Sequence, residues 1–365
     1  MKPIPFADIK RQYKDMKGEV LSAIKKVCEK TAFSGGEFVE IFEKEFAMYC
    51  RAKYFSGLNN GTNAIFLALL VLGIGRGDEV IVPANTFIAT AWGVSYVGAT
   101  PVFIDCDGDT WEIDASKIEK SITRKTKAVI GVHLYGQPFD IDEVKKICKK
   151  HGLYLIEDCA QAHGAKYKNK IVGTYGEIGC FSFYPGKNLG CFGEGGGILT
   201  NSKKYFEHIN KLKNHGSVVK YYHNEIGYNM RMEGIQGAIL SVKLKHLDKW
   251  NVRRREIAEM YHRQITNPRI KMQYQPKWAD SVYHLFVVEA GNRANLKKYL
   301  EKNGIFPAMH YPIPCHLQKA YKTLNYHKGD MPVSEHLASH CLSIPMFPEL
   351  TNREIEGIIK TINIY

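Results

Sequence analysis

The sequence lacks the features that mark membrane, zinc-binding and disulfide-framework proteins. It contains no run of 18 apolar residues, and its nine cysteines include no C-x-x-C pair. The first residues are interrupted by charges too often to form the apolar core of a signal peptide. We therefore expect a protein of the reducing cytoplasm, without a membrane span, a disulfide framework or a structural metal.

The composition excludes disordered, collagen-like and coiled-coil proteins. Of the 365 residues, 45% are hydrophobic and 24% are charged, close to the averages for globular proteins. Lysine and arginine number 50 against 37 carboxylates, a net charge of +13, which favours an anionic partner such as nucleic acid, an acidic membrane or a phosphorylated small molecule. The basic clusters, such as Arg253-Arg254-Arg255, lie within helical periodicity, and we interpret them as solvated helix faces.

Short apolar segments rich in Val, Ile, Phe and Tyr alternate with helix-period stretches between about residues 54 and 200. This alternation predicts an α/β fold with a mixed, mostly parallel, doubly wound seven-stranded sheet between helices, whose sites lie at the carboxyl ends of strands. The predicted strands are Tyr54–Leu58, Glu79–Val82, Pro101–Ile104, Ala128–His133, Tyr154–Glu157, Cys180–Phe183 and Gly197–Leu199.

The pattern changes after about residue 235, where a long helical stretch extends to roughly Gln264. We predict a large domain over residues 1–240 and a smaller C-terminal α+β domain over residues 241–365. The elements predicted for the smaller domain are a strand Tyr283–Glu289, a helix Arg293–Asn303, a Pro-rich loop His310–His316 and a terminal helix from Asn352. Earlier, the helix Thr62–Leu72 and one opening at Asp140 are predicted from apolar periodicity and capping residues.

Two strand ends carry residues suited to binding charged groups. Asn59–Asn63 lies where a strand meets a helix, and the free N–H groups of a helix start attract phosphate, although an ordinary capped turn explains the same residues. Asp158 follows a buried strand, where a carboxylate needs a cation or several donors. Capping of the next helix is the alternative role for Asp158.

Two further strand ends supply an amine and an aromatic ring. Lys187 lies in the segment Ser182–Gly190, before the glycine-rich Gly193–Gly197, and a lysine placed at a site can attack carbonyls. Phe87 follows another strand and either stacks on a ring or belongs to the core. A phosphate seat, a carboxylate, an amine and an aromatic plate are together the groups that hold and tune pyridoxal 5'-phosphate.

These residues resemble the DegT/DnrJ/StrS sugar aminotransferases, within the fold-type-I pyridoxal-phosphate enzymes. The resemblance runs nearly end to end. Its motifs are Ile4–Asp8 (IPFAD), Asn60–Ala64 (NGTNA), Glu157–Gly164 (EDCAQAHG), Ser182–Lys187 (SFYPGK), His310–Pro314 (HYPIP) and Leu342–Met346 (LSIPM).

By this resemblance, Lys187 is the catalytic lysine that forms the internal aldimine with the cofactor. Once substrate frees its amine, Lys187 moves the proton between the substrate carbon and the cofactor carbon. Asp158 is the partner of the pyridine nitrogen, and Gln161 is a hydrogen-bond partner of the ring hydroxyl.

The resemblance also assigns the remaining cofactor contacts. Gly61, Thr62 and Ser182 form the phosphate cradle, and Phe87 stacks on the ring. Asn229 resembles a residue that these enzymes contribute to the phosphate of the neighbouring subunit, so the active site is expected to span a homodimer interface.

The implied reaction moves an amino group from an amino acid, usually L-glutamate in this family, to a keto sugar linked to a nucleoside diphosphate. His310, Tyr311 and His316 lie in the loop that such enzymes use near the sugar nucleotide, although loop packing explains them equally. Tyr184, the remaining candidate substrate contact, stands where many relatives have histidine, which puts the role of that histidine in doubt here.

The motif Tyr184–Gly190 (YPGKNLG) resembles the branch that aminates C3 more than the branch that aminates C4. A dTDP-3-keto-6-deoxyhexose is the expected acceptor, in a pathway such as the synthesis of lipopolysaccharide, O-antigen or S-layer glycans. Glycines in Met232–Gly237 replace the helix formers usual in relatives, and we expect them to loosen the start of the long helix.

Other functions stay open at this point. A cyclitol could replace the sugar as acceptor. Family dehydratases carry histidine in place of the lysine, so Lys187 argues against that chemistry. A basic regulatory or nucleic-acid-binding protein is the non-enzymatic alternative, but such a protein would not need Asp158 and Lys187 at adjacent strand ends.

Overall fold

The computed structural model describes residues 2–365 and is built around a mostly parallel seven-stranded sheet. Fifteen strands are present in the described residues: β1 Tyr54–Leu58, β2 Glu79–Pro83, β3 Thr100–Ile104, β4 Thr126–Val132, β5 Tyr154–Asp158, β6 Lys166–Tyr167, β7 Lys170–Ile171, β8 Ile178–Ser182, β9 Gly196–Thr200, β10 Ser217–Val219, β11 Tyr222–His223, β12 Ile270–Met272, β13 Ala279–Asp280, β14 Phe286–Ala290 and β15 Cys341–Ile344. The large sheet has the order β1-β9-β8-β5-β4-β2-β3, and only β9 runs antiparallel to its neighbours.

Helices cover both faces of this sheet. The described helices are α1 Ile9–Glu29, α2 Glu37–Tyr49, α3 Gly61–Val71, α4 Ala89–Tyr96, α5 Ala115–Ile118, α6 Ile141–His151, α7 Lys203–Leu212, α8 Gly234–Gln264, α9 Arg293–Lys302, α10 Pro332–His340 and α11 Asn352–Ile364. One apolar core joins the sheet to α2, α6 and α8, and a second joins the opposite face to α3 and α4. The predicted α/β architecture and all seven predicted strands are confirmed, to within two residues at their ends.

Local sequence explains where the predicted helices begin and end. Asn60 caps α3, because its Oδ1 accepts a hydrogen bond from the backbone N–H of Asn63 at 2.8 Å. Asp140 caps α6 in the same way, and Gly152 ends that helix in the left-handed conformation.

The glycines at the start of α8 are required by close packing. A Cβ at Gly234 would overlap the carbonyl oxygen of Ala32, and one at Gly237 would lie 2.8 Å from that of Phe38. The helix nevertheless begins at Gly234 and continues for 31 residues. Helix propensity alone predicted a loose start for α8. Contact with the segments around α2 instead holds this start in place.

A separate core lies in the C-terminal part of the chain. It joins the end of α8, the antiparallel sheet β12-β14-β15 and α11, and it also includes Ile4 from the N-terminal segment. The predicted domain division at residue 240 falls inside α8 and stays a prediction.

Across residues 2–365, the longest helices carry too many polar and charged side chains to serve as membrane spans.

Candidate active site

The carboxyl ends of β5 and β8 bring two of the predicted site residues to one edge of the sheet. Asp158 is the last residue of β5, and Ser182 is the last residue of β8. The two strands are parallel neighbours, with Asp158 paired to Cys180. This is the position at which open α/β sheets bind their ligands.

The first turn of α3 lies directly against this edge. A Cβ at Gly61 would lie only 2.6 Å from the Cβ of Ser182, and one at Gly196 would overlap the carbonyl carbon of Asn60. The helix cap uses the N–H of Asn63, which leaves the N–H groups of Gly61 and Thr62 without an intrahelical partner. Gly61, Thr62 and Ser182 are therefore close together, at a helix end that attracts anions.

Asp158 is buried and accepts hydrogen bonds from two groups. Thr90 Oγ1 donates at 2.8 Å and the backbone N–H of Ala160 at 3.1 Å. Burial raises the pKa of Asp158, while these donors and the nearby charge of Lys187 oppose that shift. A carboxylate has about four lone-pair positions, so Asp158 can accept a further donor.

Lys187 lies in a compact turn directly after β8. Its backbone N–H donates to the carbonyl of Tyr184 at 2.9 Å, and Phe183 is held to the carbonyl of Gly195 at 2.8 Å. Burial lowers the pKa of the Lys187 amine to about 8, although the charge of Asp158 acts in the opposite direction. An amine with this pKa is partly neutral near physiological pH and can act as a nucleophile.

Gln161 connects the sheet edge to the Pro-rich loop. Its Oε1 accepts from the backbone N–H of Tyr135 at 2.7 Å, and its Nε2 donates to Tyr311 Oη at 3.0 Å. The Tyr311 ring lies 5.5 Å from the half-exposed ring of Phe87. Tyr135 Oη donates to the carbonyl of His310 at 2.6 Å, so residues 310 and 311 are held against the site.

The other candidate substrate and cofactor contacts differ in exposure. Tyr184 is 55% exposed, and Asn229 is also exposed. Asn229 precedes Met230, whose carbonyl accepts from the N–H of Asn59 at 3.1 Å, which brings this segment beside the start of α3. His316 is fully buried, with its Nε2 3.2 Å from Glu335 Oε1, and its role toward a sugar stays a prediction.

The structure adds residues that the sequence motifs did not indicate as site residues. Thr90 and Tyr135 contact Asp158 and Gln161 directly. Asn188 and His284 hydrogen-bond to each other beside Lys187, and Lys187 contributes to lowering the pKa of His284. Asn188 directly follows Lys187, which is the one sequence signal that could have identified it.

A buried group of His133, Glu157 and Cys159 has the residue types of a metal site but is explained by hydrogen bonds. Glu157 accepts from His133 Nε2 and from the backbone N–H groups of Gly173, Tyr175 and Gly176, at 2.7–3.1 Å. Burial alone would raise the pKa of Glu157, but these donors hold it below its usual value. We interpret this group as a structural anchor of β5.

The chain belongs to the DegT/DnrJ/EryC1/StrS aminotransferase family, whose sequence profile matches residues 14–363. It is 44% identical over 362 residues to the dTDP-3-amino-3,6-dideoxy-alpha-D-galactopyranose transaminase of Aneurinibacillus thermoaerophilus, covering 99% of each chain. It is 42% identical over 362 residues to a "pleiotropic regulatory protein" of Geobacillus stearothermophilus, covering 98% of this chain and 97% of the relative.

Solved structures give the same assignment. S. venezuelae DesV in complex with a ketimine intermediate superposes with a TM-score of 0.98 at 40% identity, over 100% of this chain and 98% of DesV. NtdA of Bacillus subtilis, with the bound cofactor PMP, superposes with a TM-score of 0.93 at 30% identity, over 99% of this chain and 85% of NtdA. The resemblance stated from the motifs is confirmed, and with it the fold class and the assignment as an aminotransferase.

Proposed function

We propose that this protein is a pyridoxal 5'-phosphate-dependent aminotransferase that transfers the amino group of L-glutamate to a keto carbon of a nucleotide-linked sugar. The observation that supports it best is the convergence of Lys187, Asp158 and the first turn of α3 at one sheet edge. Family membership and the cofactor-bound structure of NtdA support the same conclusion. We propose that the enzyme works in the cytoplasm.

The residues present fit this cofactor. The free N–H groups of Gly61 and Thr62 and the hydroxyl of Ser182 match a phosphate group. Asp158 has remaining acceptor capacity for a protonated ring nitrogen, and that cation would offset the cost of burying the carboxylate. When bound, the cofactor supplies an aldehyde that carries the amino group and a ring that withdraws electrons from the reacting carbon.

Each side chain then has a defined task. Lys187, with its pKa of about 8, would offer a neutral amine to the cofactor aldehyde, with water as the leaving group, and would afterwards hold the proton at the reacting carbon. Asp158 keeps the ring nitrogen protonated, and Thr90 orients the carboxylate. Gln161 offers its second amide hydrogen to the ring hydroxyl while the first is donated to Tyr311, and Phe87 covers the ring.

We infer that amination takes place at C3 of a dTDP-linked 3-keto-6-deoxyhexose. The support is the YPGKNLG motif together with the 3-amino-sugar product named for the Aneurinibacillus relative, which is 44% identical. Such a product would serve the synthesis of a lipopolysaccharide, O-antigen or S-layer glycan. A 4-keto sugar or a cyclitol is the alternative acceptor.

The acceptor is identified by supplying purified enzyme with glutamate and matched 3-keto and 4-keto dTDP-sugars. We expect kcat/KM to favour the 3-keto sugar by about 10⁴-fold, since a misplaced carbonyl leaves polar groups of the site unpaired. The aminated carbon is located by NMR. Amination at C4, or of a keto-cyclitol alone, would contradict the C3 assignment, and salt-dependent DNA retention by a colourless protein would favour the regulatory alternative.

We further propose a homodimer in which Asn229 acts on the phosphate bound by the partner subunit. The hairpin β10–β11 and the segment after it leave five large apolar or aromatic side chains 61–89% exposed, which supports burial against a second copy. These side chains are Val218, Val219, Tyr221, Tyr222 and Ile226. Asn229 lies three positions after Ile226, the last of them.

Mixing two inactive variants tests this arrangement. In a mixed dimer of Lys187→Ala and Asn229→Ala subunits, the site that keeps Lys187 receives the intact Asn229 of its partner. With random exchange half the dimers are mixed and each holds one complete site, so we expect about one quarter of wild-type activity. If Asn229 serves its own subunit, the mixture stays as inactive as the separate variants.

A further inference from the structure

The side chain next to Lys187 is the centre of a buried hydrogen-bond network. Asn188 is 2% exposed, and its Nδ2 lies 3.0 Å from the carbonyl of Val282 and 3.0 Å from Asn251 Oδ1. Because a backbone carbonyl can only accept, the nitrogen of the Asn188 amide must face Val282. The Asn188 oxygen therefore points the other way and can only accept.

That oxygen fixes the state of His284. His284 Nδ1 lies 3.1 Å from Asn188 Oδ1, so Nδ1 must carry a proton. Burial lowers the pKa of His284 well below its usual value, and the charges of Lys187 and Arg254 lower it further. His284 is thus neutral and held in one tautomer.

The network extends across the fold from Lys187. Asn251, on α8, donates from its Nδ2 to the carbonyl of His163 at 2.8 Å. Asn188 consequently joins the Lys187 turn to α8, to the segment after β5 and to residues 282–284 before β14. The chain of amides runs from the carbonyl of Val282 through Asn188 and Asn251 to the carbonyl of His163. Because both end groups can only accept, the direction of each hydrogen bond between them is determined.

We propose that Asn188 and His284 are positioning residues, which hold the Lys187 turn so that its amine is directed at the cofactor aldehyde and shielded from water. This inference rests on the proposed role of Lys187. The four-carbon stem of lysine is flexible. The position of the amine is therefore well defined only if the backbone that carries the side chain is held in place. The backbone N–H of Lys187 bonds to Tyr184, within the same turn, and the Asn188 side chain adds hydrogen bonds from this turn to α8 and to residues 282–284.

Two substitutions of His284 separate positioning from simple packing. His284→Phe keeps a ring but removes the donor to Asn188, whereas His284→Asn places an amide nitrogen near the position of Nδ1. We expect His284→Phe to lower kcat about 100-fold with KM for glutamate changed less than about threefold, because a small misplacement of a reacting group has that effect. His284→Asn should restore kcat to within about tenfold of wild type.

Cofactor uptake gives a readout that does not depend on turnover. The rate at which apo-protein binds pyridoxal 5'-phosphate is followed by visible absorbance against pH, and its midpoint reports the Lys187 amine. In wild type we expect a midpoint near the pKa of about 8. In His284→Phe it should move upward, because water that reaches the amine relieves the desolvation that lowers its pKa.

The outcomes distinguish this inference from the proposed function. Failure of wild type to bind the cofactor, or unchanged uptake in Lys187→Ala, would overturn the role of Lys187 itself. Wild-type uptake through Lys187, with an unchanged midpoint and kcat in a folded His284→Phe, would overturn the positioning role alone. If circular dichroism shows His284→Phe to be unfolded, Asn251→Leu takes its place, with an upward midpoint expected and an unchanged one contradicting the proposal.

Discussion

Replacing Lys187 by alanine is expected to abolish the visible absorbance of bound cofactor and to lower kcat by about 10⁴-fold or more. The amine is the only group proposed both to attack the cofactor aldehyde and to move the proton, and loss of such a group is among the largest single effects in enzymes. The measurements are absorbance after incubation with pyridoxal 5'-phosphate and the rate of glutamate-dependent amination. Lys187→Arg should be equally inactive, because it keeps a positive charge without an amine that forms an imine.

Lys243 provides a matched control for Lys187. It is fully buried on α8, its Nζ has no hydrogen-bond partner among residues 2–365, and burial lowers its pKa to about 8 as well. Its amine instead lies over the rings of Phe192 and Trp250, at 5.5 and 5.8 Å from their centroids. Lys243→Met should bind the cofactor at wild-type levels, which would show that a lowered lysine pKa alone does not identify the site. Loss of binding in a folded Lys243→Met would contradict the assignment of the cofactor to Lys187.

The sequence was sufficient to predict the parts of the site that local chain order determines. Gly61, Asp158 and Ser182 stand at strand or helix ends, and apolar periodicity alone is enough to locate those ends along the chain. Parallel strands then bring the ends to a single edge. For this reason four separate motifs could be combined into one candidate cofactor site, whose residue roles stay predictions.

The parts that were missed depend on pairs of residues far apart in the chain. Asn188 contacts Val282 and His284, which lie 94 and 96 positions away, and Tyr135 contacts His310, which lies 175 positions away. No periodicity or capping pattern connects such positions. In the sequence, such a polar residue cannot be distinguished from an ordinary loop residue, because its hydrogen-bond partner is known only once the fold is known.

The start of α8 shows the same limit for backbone effects. Helix propensity predicts that the glycines at 234 and 237 weaken the helix. The structure shows that any side chain at Gly234 would collide with the backbone of Ala32. The glycines make α8 intrinsically less stable as a helix, but they allow α8 to pack closely against the segments around α2. Helix-propensity scales do not include this packing.

Asp158→Asn is expected to lower kcat by about 10²- to 10⁴-fold while leaving the cofactor bound. Removing one partner of a buried ion pair costs about 3–5 kcal/mol, and each 1.36 kcal/mol corresponds to a factor of ten in rate. Asparagine keeps nearly the same shape: its oxygen can still accept from the backbone N–H of Ala160, and its amide nitrogen can donate to the hydroxyl of Thr90, so the fold should persist. Lys187 remains available to hold the cofactor, and absorbance and kcat are therefore measured on the same sample.

A cofactor analogue with carbon in place of the ring nitrogen tests whether Asp158 acts through that nitrogen. Wild type loaded with the analogue should be about as slow as Asp158→Asn with the natural cofactor, and combining the two changes should add little, because both remove the same interaction. Thr90→Val, which removes the 2.8 Å hydrogen bond to Asp158 together with the 2.9 Å hydrogen bond between the Thr90 and Thr86 hydroxyls, should lower kcat by about 10- to 100-fold with the natural cofactor. Full additivity of the analogue and Asp158→Asn would instead mean that the carboxylate acts on another group, and the ring nitrogen would then need a different partner.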